Sequence, residues 1–126
     1  MKVIGFVRVS TGHQKLSIDN QTAEITDYCK KTDGLELIDI LQEENVSGGS
    51  VERIGFNKML DLVENKKIDG IVCLNLSRIG RKASMTLDLI NRCLDNDVFI
   101  YDMKDGTDTR TPGGRMSVKM RSVIYE

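Results

Sequence analysis

Several residue types that would narrow the chemistry at once are scarce in this chain. Among 126 residues there is one histidine, His13, and one proline, Pro112. With no acid at triad-like spacing, His13 supplies neither a catalytic triad nor a metal constellation. The three cysteines, Cys29, Cys73 and Cys93, are odd in number and far apart. They read as buried thiols in a reducing, cytoplasmic setting, not as disulfide staples or metal ligands. No apolar run approaches the ~20 residues that a membrane span needs, and Met1 to Gly5 is too short in apolar residues for a signal peptide. An excess of either charge is missing too: 18 Lys and Arg face 19 Asp and Glu, a net charge of −1. Composition therefore gives no electrostatic sign of a nucleic-acid partner. What remains is ordinary, 40% hydrophobic and 29% charged, and predicts a single domain with one core over residues 1–126.

The hydrophobic pattern alternates between two periods. Lys2 to Val9 predicts a first strand, and Ser17 to Lys31 a helix that stops at Asp33-Gly34. Leu35 to Leu41 predicts a second strand, followed by a loop over Glu43 to Glu52 that contains Ser47-Gly48-Gly49-Ser50. Phe56, Met59, Leu60 and Val63 share one face of a second helix. Ile68 to Leu76 predicts a central strand. Ser84 is placed to cap a third helix carrying Met85, Leu89, Ile90 and Cys93. Val98 to Tyr101 predicts a fourth strand, and Asp105 to Gly114 a loop. After Gly113-Gly114, the residues Met116, Met120, Val123 and Ile124 predict an amphipathic helix running to Glu126 without a stop signal. That helix is expected to continue in a longer protein. The expected class is α/β: a mostly parallel sheet of four or five strands with helices on both faces.

In such sheets functional residues gather at the carboxyl ends of strands. Alternation puts Arg8 and Ser10 on one face of the first strand, at such an end. Arg53 and the pair Arg78 and Arg81 lie in other loops that could converge there. Guanidiniums stay charged and match two phosphate oxygens at once. Gathered without nearby acids, they call for an anion, and a hydroxyl within reach of a bound phosphorus is a potential nucleophile. Each residue alone has a plainer explanation. Arg8 can be a surface or ion-paired residue, Ser10 a turn or cap residue, and Arg78 and Arg81 solvated loop charges. Their joint occurrence favours a phosphoryl-transfer site in which arginines stand where a metal ion otherwise would.

The run Phe6 to Gln14, with Ser17-Ile18-Asp19-Asn20-Gln21, resembles the N-terminal signature of the resolvase/invertase family of serine site-specific recombinases. The resemblance continues through Ser47-Gly48, Arg53-Ile54-Gly55-Phe56, Leu76 to Arg81, and Thr111 to Arg115, collinear over nearly the whole chain. It implies a catalytic domain in which Ser10 attacks a DNA phosphodiester and forms a 5′-phosphoserine link. Arg8, Arg53, Arg78 and Arg81 would hold the phosphate, supported by Gln14, Gln21 and Ser77. Strand exchange would need no cofactor, neither metal nor ATP. Phe6 stands where relatives often have tyrosine, and Ser77 where many have aspartate, so the general acid/base is left unassigned. The resemblance also implies a C-terminal DNA-binding region outside this chain, a homodimer and a synaptic homotetramer. Within the chain, Lys104, Arg110, Arg115, Lys119 and Arg121 give the last segment a basic bias. Arg115 and Lys119 are the expected contacts to duplex DNA, which residues 1–126 alone should bind weakly. Two other readings remain: a small metal-free phosphatase or phosphodiesterase, and a non-catalytic anion-binding interaction module.

Overall fold

A computed structural model describes residues 1–10, 15–45, 54–76, 79 and 83–125. The side-chain surroundings of residues 9–10, 15–17, 44–45 and 122–125 are outside that description. The described elements are β1 (Lys2–Ser10), α1 (Lys15–Lys31), β2 (Glu36–Asn45), α2 (Ile54–Glu64), β3 (Gly70–Cys73), α3 (Ala83–Asp95), β4 (Phe99–Asp102), β5 (Thr107–Asp108) and α4 (Pro112–Tyr125). The sheet order is β2-β1-β3-β4-β5. The first four strands are parallel, and β5 pairs antiparallel with β4.

Alternation along β1 divides the core between two faces. Ile4 and Phe6 join a cluster with Phe56, Met59 and Val63 of α2, Met85, Leu89, Ile90 and Cys93 of α3, and Val118 of α4. Val3 and Val7 pack on the other face with Ile25 and Cys29 of α1. The α/β class and the helices on both faces are as the periodicity predicts. Among the described helices none is long and apolar enough to cross a membrane.

The boundaries depart from expectation in four places. β2 continues through Glu43 and Glu44 to Asn45, where a loop was expected. Its alternation also slips: the register moves from Val3↔Leu37 to Ile4↔Asp39. The slip leaves Ile38 exposed and puts Leu37 and Ile40, three residues apart, on the same face. β3 ends at Cys73, although Leu76 remains fully buried in the core beyond it. Ser84 is the second residue of α3 and not its cap. The short β5 lies within the expected Asp105 to Gly114 loop.

Of the predicted apolar face of the last helix, Met116 and Met120 are described, while the side chains of Val123 and Ile124 lie outside the described residues. Met116 and Met120 are 65% and 62% exposed, while Val118 is fully buried. The inward stripe is Gly114, Val118 and Arg121, spaced at four and three. Thr111 starts the helix: its Oγ1 accepts the Gly114 N–H at 2.9 Å and donates to the Asp108 carbonyl at 2.8 Å. Pro112 follows at the first helical position, where its missing N–H costs nothing.

A Cβ at Gly114 would collide with the backbone of Asp108, whereas one at Gly113 would meet nothing within 4 Å. Gly114→Ala is therefore expected to lower unfolding stability by about 1–3 kcal/mol. Gly113→Ala should be neutral or stabilising by up to about 1 kcal/mol. Urea denaturation of both variants checks this; equal midpoints would mean that α4 does not rest on Asp108.

Candidate active site

The strand order reverses between β1 and β3: the chain moves outward from β1 to β2, then returns to add β3 on β1's other edge. A reversal of this kind opens a crevice at the carboxyl ends of the two strands, because their connections leave toward opposite faces. Arg8 and Ser10 end β1, and Leu74 to Leu76 leave β3.

Arg8 is half-buried and lies opposite Glu43 in the β1–β2 register. Glu43 is 2% exposed. A carboxylate so far out of water is costly unless charge and hydrogen bonding compensate it. The adjacent guanidinium on the neighbouring strand supplies charge of the required sign. α2 closes this corner from above. Gly55 packs so closely that a Cβ would collide with the Gln42 carbonyl, and it would lie 3.6 Å from the Glu43 Cβ. Arg53 directly precedes this helix.

The chain leaving β3 is tied down at two buried side chains. Leu76 is fully buried and Ile79 is 2% exposed. The Ile79 N–H donates to the Leu76 carbonyl at 3.2 Å. The Leu76 N–H donates to Asp102 Oδ2 at 3.2 Å. Beside it, the Met103 and Lys104 N–H groups donate to the carbonyls of Cys73 and Leu74, both at 2.9 Å. Ser77 and Arg78 fall between the two anchors in sequence, and Arg81 follows two positions after Ile79.

Of the expected site residues, the structure thus describes Arg8 and the backbone of Ser10 at one strand end. Arg53, Arg78, Arg81, Ser77 and Gln14 lie outside the described residues. Gln21 is half-buried on α1, one helical turn before Ile25 and across the sheet from Arg8's face. Arg115 and Lys119 are exposed, a helical turn apart on the outer side of α4. Two residues of the expected basic segment are engaged internally. Arg110 pairs with Asp108 at 2.7 Å and lies 4.1 Å above the Phe99 ring. Arg121 pairs with Asp102 at 3.0 Å and with Asp105 at 2.7 Å. Sequence reasoning missed Glu43, Asp102 and Arg121. The acidic pair at the end of an apolar strand was a signal for Glu43; nothing local marks the pairing of Asp102 with Arg121.

A family model described as Resolvase, N terminal domain, matches residues 3–126. The DNA-invertase of Escherichia phage P1 is 30% identical over 124 residues, covering 98% of this chain and 60% of that protein. The DNA-invertase hin of Salmonella typhimurium is 27% identical over 126 residues, 100% of this chain and 60% of that one. The crystal structure of the N-terminal catalytic domain of TP901-1 integrase superimposes with a TM-score of 0.81 at 26% identity, covering 98% of this chain and 93% of that one. The chain spans about 60% of the length of the two invertases.

The thiols are poor rivals to a hydroxyl nucleophile. Burial pushes Cys93 up to about 12. Burial first, then the negative charge of Asp102, pushes Cys73 well above its ordinary value; burial raises Cys29 as well. With Cys93 at about 12, only on the order of one molecule in ten thousand carries that thiolate at pH 8. A thiol-reactive chromogen at pH 8 should label none of the three within minutes in the folded protein and all three in denaturant. Rapid labelling of the native protein would show that the core is not closed.

Proposed function

Because the chain belongs to the Resolvase N-terminal domain family, we propose that it is the catalytic domain of a site-specific DNA recombinase. The observation that carries this reading is the position of Arg8 and Ser10 at the end of β1, beside the reversal point with β3. A phosphodiester lying across that crevice is reachable from β1, from the segment after β3, and from the start of α2.

In the proposed reaction Ser10 Oγ attacks phosphorus as its proton departs. The bond to the 3′ oxygen breaks, and that oxygen leaves as a hydroxyl after taking up a proton. The product is a 5′-phosphoserine ester and a free 3′-hydroxyl. Reversal with the 3′-hydroxyl of a different strand rejoins the DNA and regenerates Ser10. One phosphate ester replaces another, so the bond energy is conserved and ATP is not required. Arg8, Arg53, Arg78 and Arg81 gather charge around the non-bridging oxygens, where it is worth most as the transition state forms. Glu43, in register with Arg8 on the neighbouring strand, sets a negative charge beside that guanidinium. Gln14 and Ser77 line the site, Gln21 stands behind it on α1 at the opposite face of the sheet, and Arg115 and Lys119 meet the DNA backbone.

A net charge of −1 neutralises few phosphates, so sequence-specific grip belongs to a region outside residues 1–126. The exposed Met116 and Met120 of α4 suit burial against further copies of the chain, as a homodimer and a synaptic homotetramer.

Incubating the full-length protein with DNA bearing its recombination site should trap a covalent complex through the 5′ phosphate. Ser10→Ala should abolish it. A complex that persists in Ser10→Ala would remove Ser10 as the nucleophile. Hydrolysis of a chromogenic phosphate ester without DNA would favour a phosphatase instead.

A further inference from the structure

Asp102 closes β4 with its side chain 1% exposed. Its partners come from three separate stretches of chain. The Leu76 N–H donates to Oδ2 at 3.2 Å, the Lys104 N–H donates to Oδ1 at 3.0 Å, and Arg121 Nη1 donates to Oδ2 at 3.0 Å. Arg121 Nη2 also donates to Asp105 Oδ2 at 2.7 Å and to Thr107 Oγ1 at 3.1 Å. One guanidinium on α4 is thus held by three side chains of the β4–β5 region. One buried carboxylate joins that guanidinium to the N–H of Leu76, the third residue after β3.

Stability alone is a poor reason for such a pair. A buried ion pair gives up hydration that an apolar pair of similar volume does not, and well-packed apolar replacements are often as stable. What the pair supplies is direction. The planar fork of Arg121 fixes where Asp102 Oδ2 sits, and Oδ2 fixes the Leu76 N–H. Leu76 in turn takes the Ile79 N–H on its carbonyl, bracketing Ser77 and Arg78. A displacement of α4 therefore reaches Leu76, the residue directly before Ser77 and Arg78 in sequence, through two hydrogen bonds that share a single oxygen.

We propose that Asp102 and Arg121 are positioning residues for phosphodiester cleavage, coupling the seat of α4 to the segment that carries Arg78 and Arg81. The proposal rests on the reading of those two arginines as phosphate ligands. Misplacing a charge-stabilising group by about 1 Å is enough to slow a reaction by up to about a hundredfold without changing what binds.

The test uses full-length protein and the DNA on which the wild type forms its covalent complex. Arg121→Met and Asp102→Asn should slow single-turnover cleavage at saturating DNA by about ten- to a hundredfold. DNA affinity should stay within about twofold, because neither residue faces the duplex. Arg121→Lys, which keeps the charge but not the fork, should recover part of the rate. Amide hydrogen exchange supplies a second readout that needs no DNA: Arg121→Met should speed exchange at Leu76 as well as in α4. Wild-type cleavage rates in cooperatively folded Arg121→Met and Asp102→Asn would overturn the proposal, as would unchanged Leu76 protection in Arg121→Met. If the wild type forms no covalent complex on any duplex, the recombinase reading fails. The Leu76 exchange then still decides whether α4 and the β3 exit are coupled.

Discussion

The position of β1 is the constraint from which the rest follows. It lies between β2 and β3, in parallel register with both, and is covered on each face by packed helices. A strand buried on both sides has no room for charge except at its end. Arg8 therefore appears only where the apolar pattern of Val3, Ile4, Phe6 and Val7 runs out. The connection leaving β1 runs to α1 on one face and that leaving β3 to α3 on the other, and this divergence opens the crevice at that end. The stability of the sheet and the location of the proposed chemistry have one cause.

A second layer of constraint concerns α4. The helix touches the body through a glycine that rests on backbone, a valine in the core, and an arginine that pairs with a buried acid. Among the described side chains of α4, Val118 alone is an ordinary core contact. The other two are specific in geometry and weak in area, so they give the helix a definite seat beyond what apolar burial supplies. Its outer side, with Met116 and Met120 exposed beside Arg115 and Lys119, keeps apolar and basic surface together. Such a surface suits the proposed contacts of this helix with a second copy of the chain and with the DNA backbone.

Much of this was legible in the sequence, and the parts that were not have physical reasons. The alternation of strand and helix was plain because each element buries one face at its own period. In the stripe of α2, Phe56, Met59 and Val63 are buried as expected, with Leu60 partly buried against the same cluster. β2 was misread because its register slips after Leu37: one slipped residue shifts the phase of all that follows, so a fixed period-two reading breaks near Ile38. β5 is two residues long, too short to carry a period, and exists only because β4 offers it an edge. Asp102 and Arg121 each look like solvated charges locally; their pairing is a property of the packed fold. For the proposed site, Arg8 and Ser10 were legible from alternation and from the resemblance of the motifs. The role of Glu43 needed the register with β1.

The most direct test of the proposed chemistry alters the phosphate and not the protein. A methylphosphonate at the cleavage position replaces one charged non-bridging oxygen with a methyl group. If Arg8 acts by offsetting phosphate charge, Arg8→Ala should lose about a hundred- to a thousandfold in single-turnover cleavage of ordinary DNA. On the methylphosphonate the gap between wild type and variant should close to within about tenfold. An equally large gap on both substrates would contradict charge stabilisation by Arg8 and leave it a residue of the fold alone.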